Sequence, residues 1–383
     1  MQQAWRTQAR PYLGSTEQAA VQRAMSSPIL GRSPETERFE QRLGELLDNP
    51  YAVAVSSGTM ALYLAVASCI SPGQEVLVPS YTFCATVQAV LAAGGVPRFV
   101  DVDPQTLAAG PREFLARWTD RTRAVVPVFF AGAATDLSGL DEVAASSGAT
   151  VVVDAAHAFG TRDVGNGEHL TCFSFDPIKN ITTGDGGAVM ARDEAEYRRL
   201  MSMQMLGISE QRQEQRWGVI GYEVTSFGFR SHLQSINAAI GLAQLDRFAD
   251  IRARRQSLWQ QYAEALRGTD EVQIVPVDIS RTVPFNFVVM VPGRDRVHAR
   301  LRDQGIGVAV HYPPNHRQPA FRQYHDGPLP VTERVWERVL SLPFHPAMDA
   351  NDVDHVVTAL RAALPSHRPR TQTLPMVRSA GGA

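Results

Sequence analysis

Residues 52–78 read AVAVSSGTMALYLAVASCISPGQEVLV. A β-branched run at 52–56 is followed by a helical pattern at 59–68, then, past Ser71, Pro72 and Gly73, by a second β-branched run at 75–78. Two strands joined through a helix form a βαβ unit, and such units build parallel sheets. The alternation continues with a helix at 82–93, strands at 96–100, 124–130 and 150–153, and helices near 112–118 and 137–146. The almost unbroken apolar run at 150–153 suits a strand covered on both faces. The expectation is an α/β fold with a large, mostly parallel sheet flanked by helices.

Past residues 171–192 the pattern changes. A helical stretch at 234–267 carries Ile236, Ile240, Leu242, Leu245 and Phe248 on recurring turns and is expected to bridge two domains. Beyond it, strands at 272–276, 285–291 and 306–311 and helices near 294–304, 331–340 and 351–364 indicate a smaller C-terminal α+β domain. The expected division is 1–245 and 246–365. The stretch 366–383, rich in Arg, Pro, Thr and Gly without periodicity, is expected to be a disordered tail.

The chain has 383 residues, a net charge of −2, 20% charged and 44% hydrophobic residues, as in ordinary soluble proteins, so bulk charge gives no reason to expect a nucleic-acid partner. Cys69, Cys84 and Cys172 are scattered, which points to reduced, buried thiols rather than disulfides or a metal site. Residues 1–12 lack the apolar core of a secretory signal. The longest apolar stretches fall short of the roughly 20 residues that span a bilayer. A soluble cytoplasmic protein is expected.

Lysine and arginine together number 37, yet Lys179 is the single lysine. A compositional bias accounts for arginine elsewhere but not for this exception. A lysine amine can lose its proton and condense with an aldehyde, whereas a guanidinium stays protonated. Lys179 is therefore the only side chain here able to hold pyridoxal 5'-phosphate (PLP) as an imine. It sits in Ser174-Phe175-Asp176-Pro177-Ile178-Lys179, with Gly184, Gly186 and Gly187 close behind. Ser174 is placed to donate to a phosphate oxygen, and the glycines either admit a ligand or make a tight turn.

Between a strand and a helix, Ser56-Ser57-Gly58-Thr59 offers backbone N–H groups at Gly58 and Thr59, plus the Thr59 hydroxyl, to an anion; capping the helix is the simpler reading. Asp154 ends an apolar strand, where ligands bind in open α/β sheets. Paired with a pyridine nitrogen, it would keep that nitrogen protonated. His157, three residues on, either meets the cofactor's phenolic oxygen, orients Asp154 or is structural. Phe83, in Pro79-Ser80-Tyr81-Thr82-Phe83, either stacks on the ring or fills core.

With these blocks in order, and with INAAIGLAQL (236–245) and His311-Tyr312-Pro313-Pro314, the chain resembles the DegT/DnrJ/EryC1/StrS family of sugar aminotransferases over nearly its whole length. The resemblance implies a fold type I PLP-dependent transferase. It also implies Lys179 in the imine, Asp154 on the pyridinium, Phe83 on the ring face, Thr59 and Ser174 on the phosphate, and His157 near the ring oxygen. A homodimer is implied as well, its active sites at the interface, with Gly228-Phe229-Arg230-Ser231-His232 reaching the partner's phosphate. Two departures stand out: Arg230-Ser231 replaces the Asn-Tyr of many relatives, and Asp176 replaces a frequent histidine. Asp176 either stabilises the protonated lysine or faces away.

Relatives with histidine at the lysine position are dehydratases, so the lysine favours transamination. The implied cycle takes an amino group from glutamate or glutamine, passes through pyridoxamine 5'-phosphate and aminates a nucleotide-linked keto-deoxyhexose, preferably at C4. A cyclitol ketone is the nearest alternative acceptor. A non-catalytic, regulatory relative is the reading from a different class.

Overall fold

The computed structural model describes residues 7–208 and 221–365. The expected disordered tail, 366–383, lies outside the described residues. In chain order the main elements are α1 (Ser15–Met25), α2 (Pro34–Leu47), β1 (Ala52–Val55), α3 (Gly58–Cys69), β2 (Glu75–Pro79), α4 (Cys84–Ala92), β3 (Val96–Val100), α5 (Pro111–Leu115) and β4 (Thr122–Val125). Then come α6 (Ser138–Ser147), β5 (Thr150–Asp154), β6 (Leu170–Ser174), β7 (Gly187–Met190), α7 (Glu194–Met203), α8 (Ser235–Asp246) and α9 (Phe248–Ala265). The chain continues with β8 (Gln273–Ile274), β9 (Phe287–Met290), α10 (Arg294–Asp303), α11 (Pro330–Trp336), β10 (Val339–Leu342) and α12 (Ala350–Ala363).

Seven strands form one sheet in the order β1-β7-β6-β5-β4-β2-β3. Only β7 opposes its neighbours; β6, β5, β4, β2 and β3 pair in parallel. Side chains alternate between faces along a strand. Ala52, Ala54, Leu77, Val151 and Val153 accordingly join one core, and Val53, Val55, Val76, Val78 and Val152 another. Both faces are covered, which is why these strands read as continuous apolar runs. α3 is apolar nearly all round and buries Ala61 to Val66 against the sheet. A second, antiparallel sheet, β10-β9-β8, packs with α9, α10 and α12 around a third core containing Leu258, Phe287, Leu301 and Val356.

Several expectations need correction. The single helix at 234–267 is two, broken at Arg247, whose backbone leaves the helical region (φ −117°, ψ 16°). Its guanidinium is drawn aside to Glu17 at 2.8 Å and lies 4.5 Å from the Tyr12 ring centroid. Apolar periodicity runs on through the break and does not register it. The helix at 331–340 stops at Trp336, and Val339–Leu342 forms β10 beside β9. The strand at 306–311 is reduced to an isolated bridge between Ala309 and Ser341; the chain leaves the sheet to carry Tyr312 toward the large one. The cysteines are free, but only Cys172 is buried; Cys69 is half-buried at the end of α3, and Cys84 is exposed at the start of α4. Among the described residues no helix is long and apolar enough to cross a membrane.

Candidate active site

The parallel strands end together, and the residues singled out from the sequence follow those ends. β1 leads through Ser57 into α3. Ser57, not Thr59, caps that helix: its Oγ accepts from the Met60 N–H at 3.2 Å. The N–H groups of Gly58 and Thr59 belong to the first turn, where no intrahelical carbonyl reaches them. The capping alternative therefore holds for Ser57, and the first-turn N–H groups of Gly58 and Thr59 are left for another acceptor.

Ser174 ends β6 beside this turn. A Cβ on Gly58 would lie 2.6 Å from Ser174 Cβ and 2.9 Å from its Oγ, so α3 approaches β6 only because Gly58 has no side chain. Gly187, at the start of β7, is equally tight: a Cβ there would meet the Ser57 carbonyl oxygen at 2.6 Å. Gly187 therefore admits backbone, Gly186 lies against the Thr183 and Leu233 side chains, and Gly184 takes the positive φ (+85°) of a tight turn. What remains is a helix N-terminus with a serine and a threonine hydroxyl beside it, a donor set suited to a phosphate group.

Asp154, at the end of β5, is buried. Thr86 donates to its Oδ2 at 2.8 Å and the Ala156 N–H to its Oδ1 at 3.1 Å. Burial raises the carboxyl pKa; the Thr86 and Ala156 hydrogen bonds and the nearby Lys179 charge oppose that. A carboxylate so placed suits a cationic partner. His157 is buried too, its ring stacked on Phe285 at 4.0 Å and its Nε2 3.0 Å from the Tyr312 hydroxyl. Burial first, then the Lys179 and His311 charges, holds its pKa well below the usual histidine range, so the ring is neutral.

Lys179 is half-buried. Its Nζ lies 4.5 Å from the centroid of Phe285, the ring that also stacks on His157. Desolvation lowers its pKa to about 8, against the upward pull of Asp154 and then Asp176. Asp176 does both things at once. Its Oδ1 accepts from the Ile178 N–H at 3.1 Å, forming the turn, while its charge still favours protonated lysine. Phe83 stands at the start of α4, 53% exposed, its ring 5.4 Å from that of Tyr312. It faces solvent, as an open wall does, rather than filling core.

Arg230 is exposed, in a bridge with Met205, next to Ser231, whose carbonyl accepts from the Ser56 N–H at 2.6 Å. That places its backbone beside the end of β1, next to the turn that leads into α3. Sequence reasoning did not single out Thr86, Asn180, Arg255 or Phe285. Tyr312 was present in the His-Tyr-Pro-Pro block without a role. Its signal was that block; the others act through contacts distant in sequence and leave no local pattern.

The residues present fit PLP: the α3 N-terminus suits its phosphate, the buried Asp154 carboxylate a ring nitrogen, Phe83 a ring face, and Lys179 an amine with a lowered pKa. Fold and site together define a PLP-dependent enzyme of fold type I. The family follows from the sequence model of the "DegT/DnrJ/EryC1/StrS aminotransferase family", which matches residues 11–361; the chain belongs to that family, is a transaminase and uses PLP.

Solved structures agree. The aminotransferase TlmJ from Streptoalloteichus hindustanus is 32% identical, with 94% of this chain and 99% of that one covered and a TM-score of 0.86. The sugar aminotransferase CalS13 from Micromonospora echinospora is 29% identical, covering 93% and 99%, also at 0.86. AtS13 from Actinomadura melliaura is 27% identical, covering 94% and 100%, at 0.87.

Proposed function

We propose that this chain transfers an amino group from glutamate or glutamine to a nucleotide-linked keto-deoxyhexose, with a C4 ketone as acceptor, in amino-sugar or antibiotic biosynthesis. The reading includes a cytoplasmic homodimer with shared active sites. It places the domain boundary near residue 245, between the large-sheet region and the three-stranded one. The observation that carries it is Lys179, the only lysine, half-buried with its pKa lowered to about 8. That CalS13 is a sugar aminotransferase supports the substrate class.

Gly58 and Thr59, with Ser174, would hold the cofactor phosphate, and Asp154 the ring nitrogen. PLP supplies an aldehyde and an electron sink. Lys179 would hold the cofactor and would supply the amine that moves a proton at the substrate's reacting carbon. A pKa near 8 leaves a useful neutral fraction at physiological pH. Thr86 fixes the orientation of Asp154, and Tyr312 that of His157. Phe83 would bound one face of the cofactor.

The test is a half-reaction: protein loaded with pyridoxamine 5'-phosphate is offered nucleotide 4-keto and 3-keto sugars and cyclitol ketones. The expected result is return of the aldehyde-form absorption with a nucleotide 4-keto sugar. Return with cyclitol ketones alone would overturn the substrate class.

A further inference from the structure

One cation outside the cofactor set is buried with no acid beside it. Arg255 of α9 is 2% exposed, and no ion pair to it is found among the described residues. Its Nη2 donates to the main-chain carbonyl of Lys179 at 3.2 Å. Its Nη1 donates to the carbonyls of Phe285 at 3.1 Å and Pro284 at 3.4 Å. The guanidinium lies 5.8 Å from the Phe344 ring, and Nε has no acceptor among the described residues.

Burying a charge without a counter-charge is costly, and an apolar side chain of similar volume would serve packing better. A specific task accounts for the guanidinium: its planar fork reaches two backbone segments at once. One segment carries the Lys179 amine; the other carries the Phe285 ring that lies under that amine and against His157. Asn180 joins the same segments, donating to Val283 and Phe159 carbonyls at 3.1 Å each. Among the described residues, however, Arg255 is the one that grips the lysine's own carbonyl.

We propose that Arg255 is a positioning residue that holds the Lys179 amine over the Phe285 ring, desolvated and in reach of the cofactor aldehyde, by clamping both backbone segments to α9. This rests on Lys179 being the cofactor lysine. The other titratable groups around the amine are Asp154 on β5, Asp176 in its own loop, and His157, His311 and Tyr312. Removing Arg255 releases the loop toward water and takes away a cation. Both changes make the amine more basic.

The single lysine makes the experiment direct. Full-length cofactor-free chain is mixed with pyridoxal 5'-phosphate across neutral to alkaline pH, reduced with borohydride and weighed, and peptide mapping separates Lys179 from the N-terminal amine. Arg255→Met is expected to form the Lys179 adduct about tenfold more slowly at neutral pH, with a midpoint about one unit higher. Arg255→Lys should fall between, and added guanidinium should restore Arg255→Ala. Wild-type rate and midpoint in Arg255→Met, whatever its melting temperature, overturn the proposal. If that variant does not fold, Arg255→Lys decides on the same criteria. A wild-type chain that forms no Lys179 adduct removes the underlying reading and the proposal together; a wild-type adduct with unchanged variants removes the proposal alone.

Discussion

Two forces act on the Lys179 amine in opposite directions. Desolvation lowers its pKa, Asp154 and Asp176 raise it, and the balance falls near 8 rather than at 10.5. The sign has consequences. Between about 8 and 10.5 the unfolded chain binds more protons at this residue than the folded one, so its contribution to stability rises with pH over that window. In the cofactor-free protein, modification of Lys179 by an amine-directed reagent should half-saturate near pH 8; a midpoint at the ordinary lysine value would refute the desolvated setting. Lys179→Arg preserves charge but can neither condense nor shuttle a proton. Its turnover should fall by about a thousandfold or more, measured with saturating cofactor. Asp154 and Ser174 were legible as candidates because each places a polar group at a strand end, and Lys179 because it is the single lysine. Tyr312, Thr86 and Phe285 were not, because their parts come from contacts with residues far away in the chain.

Elements built on regular alternation were legible for a simple reason: β1, β2 and β5 are covered on both faces, so each reads as an apolar run between helices. Elements that depend on a break were not. Arg247 interrupts a continuous apolar stripe through a side-chain contact with α1, and Val339–Leu342 is a run of four that suits strand or buried helix alike. The junction between α3 and β6 carries a sharp expectation. Gly58→Ala places a methyl 2.6 Å from Ser174 Cβ, and neither element can retreat without disturbing the sheet. It should cost about 1–3 kcal/mol in stability and weaken cofactor binding by displacing the N-terminus of α3. Calorimetry and a cofactor titration check the two effects, and unchanged values for both would contradict the close approach. Thr86→Val, by contrast, keeps volume and removes one hydrogen bond to Asp154. It should raise the carboxyl pKa and weaken cofactor retention by roughly tenfold, as expected for losing a hydrogen bond to a charged acceptor; equilibrium dialysis checks it.

At the scale of the whole molecule, the large sheet gathers the candidate cofactor residues Gly58, Phe83, Asp154 and Ser174 at its strand ends, and the segments around Phe285 and Tyr312 pack against His157 there. The composite-site reading puts Arg230 into the partner's phosphate site. Lys179→Ala and Arg230→Glu should each be inactive alone, whereas mixed subunits should regain up to about a quarter of wild-type activity, since half of the dimers would carry one intact site. No regain in verified mixed dimers would place Arg230 outside the partner's site. The central claim, that Lys179 is the residue that binds PLP covalently, is tested most directly by borohydride reduction of the PLP-loaded protein followed by peptide mass analysis. The account expects one phosphopyridoxyl group on Lys179, with the visible absorption band and the adduct both lost in Lys179→Ala; a band that survives that substitution, or a reduced protein without the adduct, would contradict it.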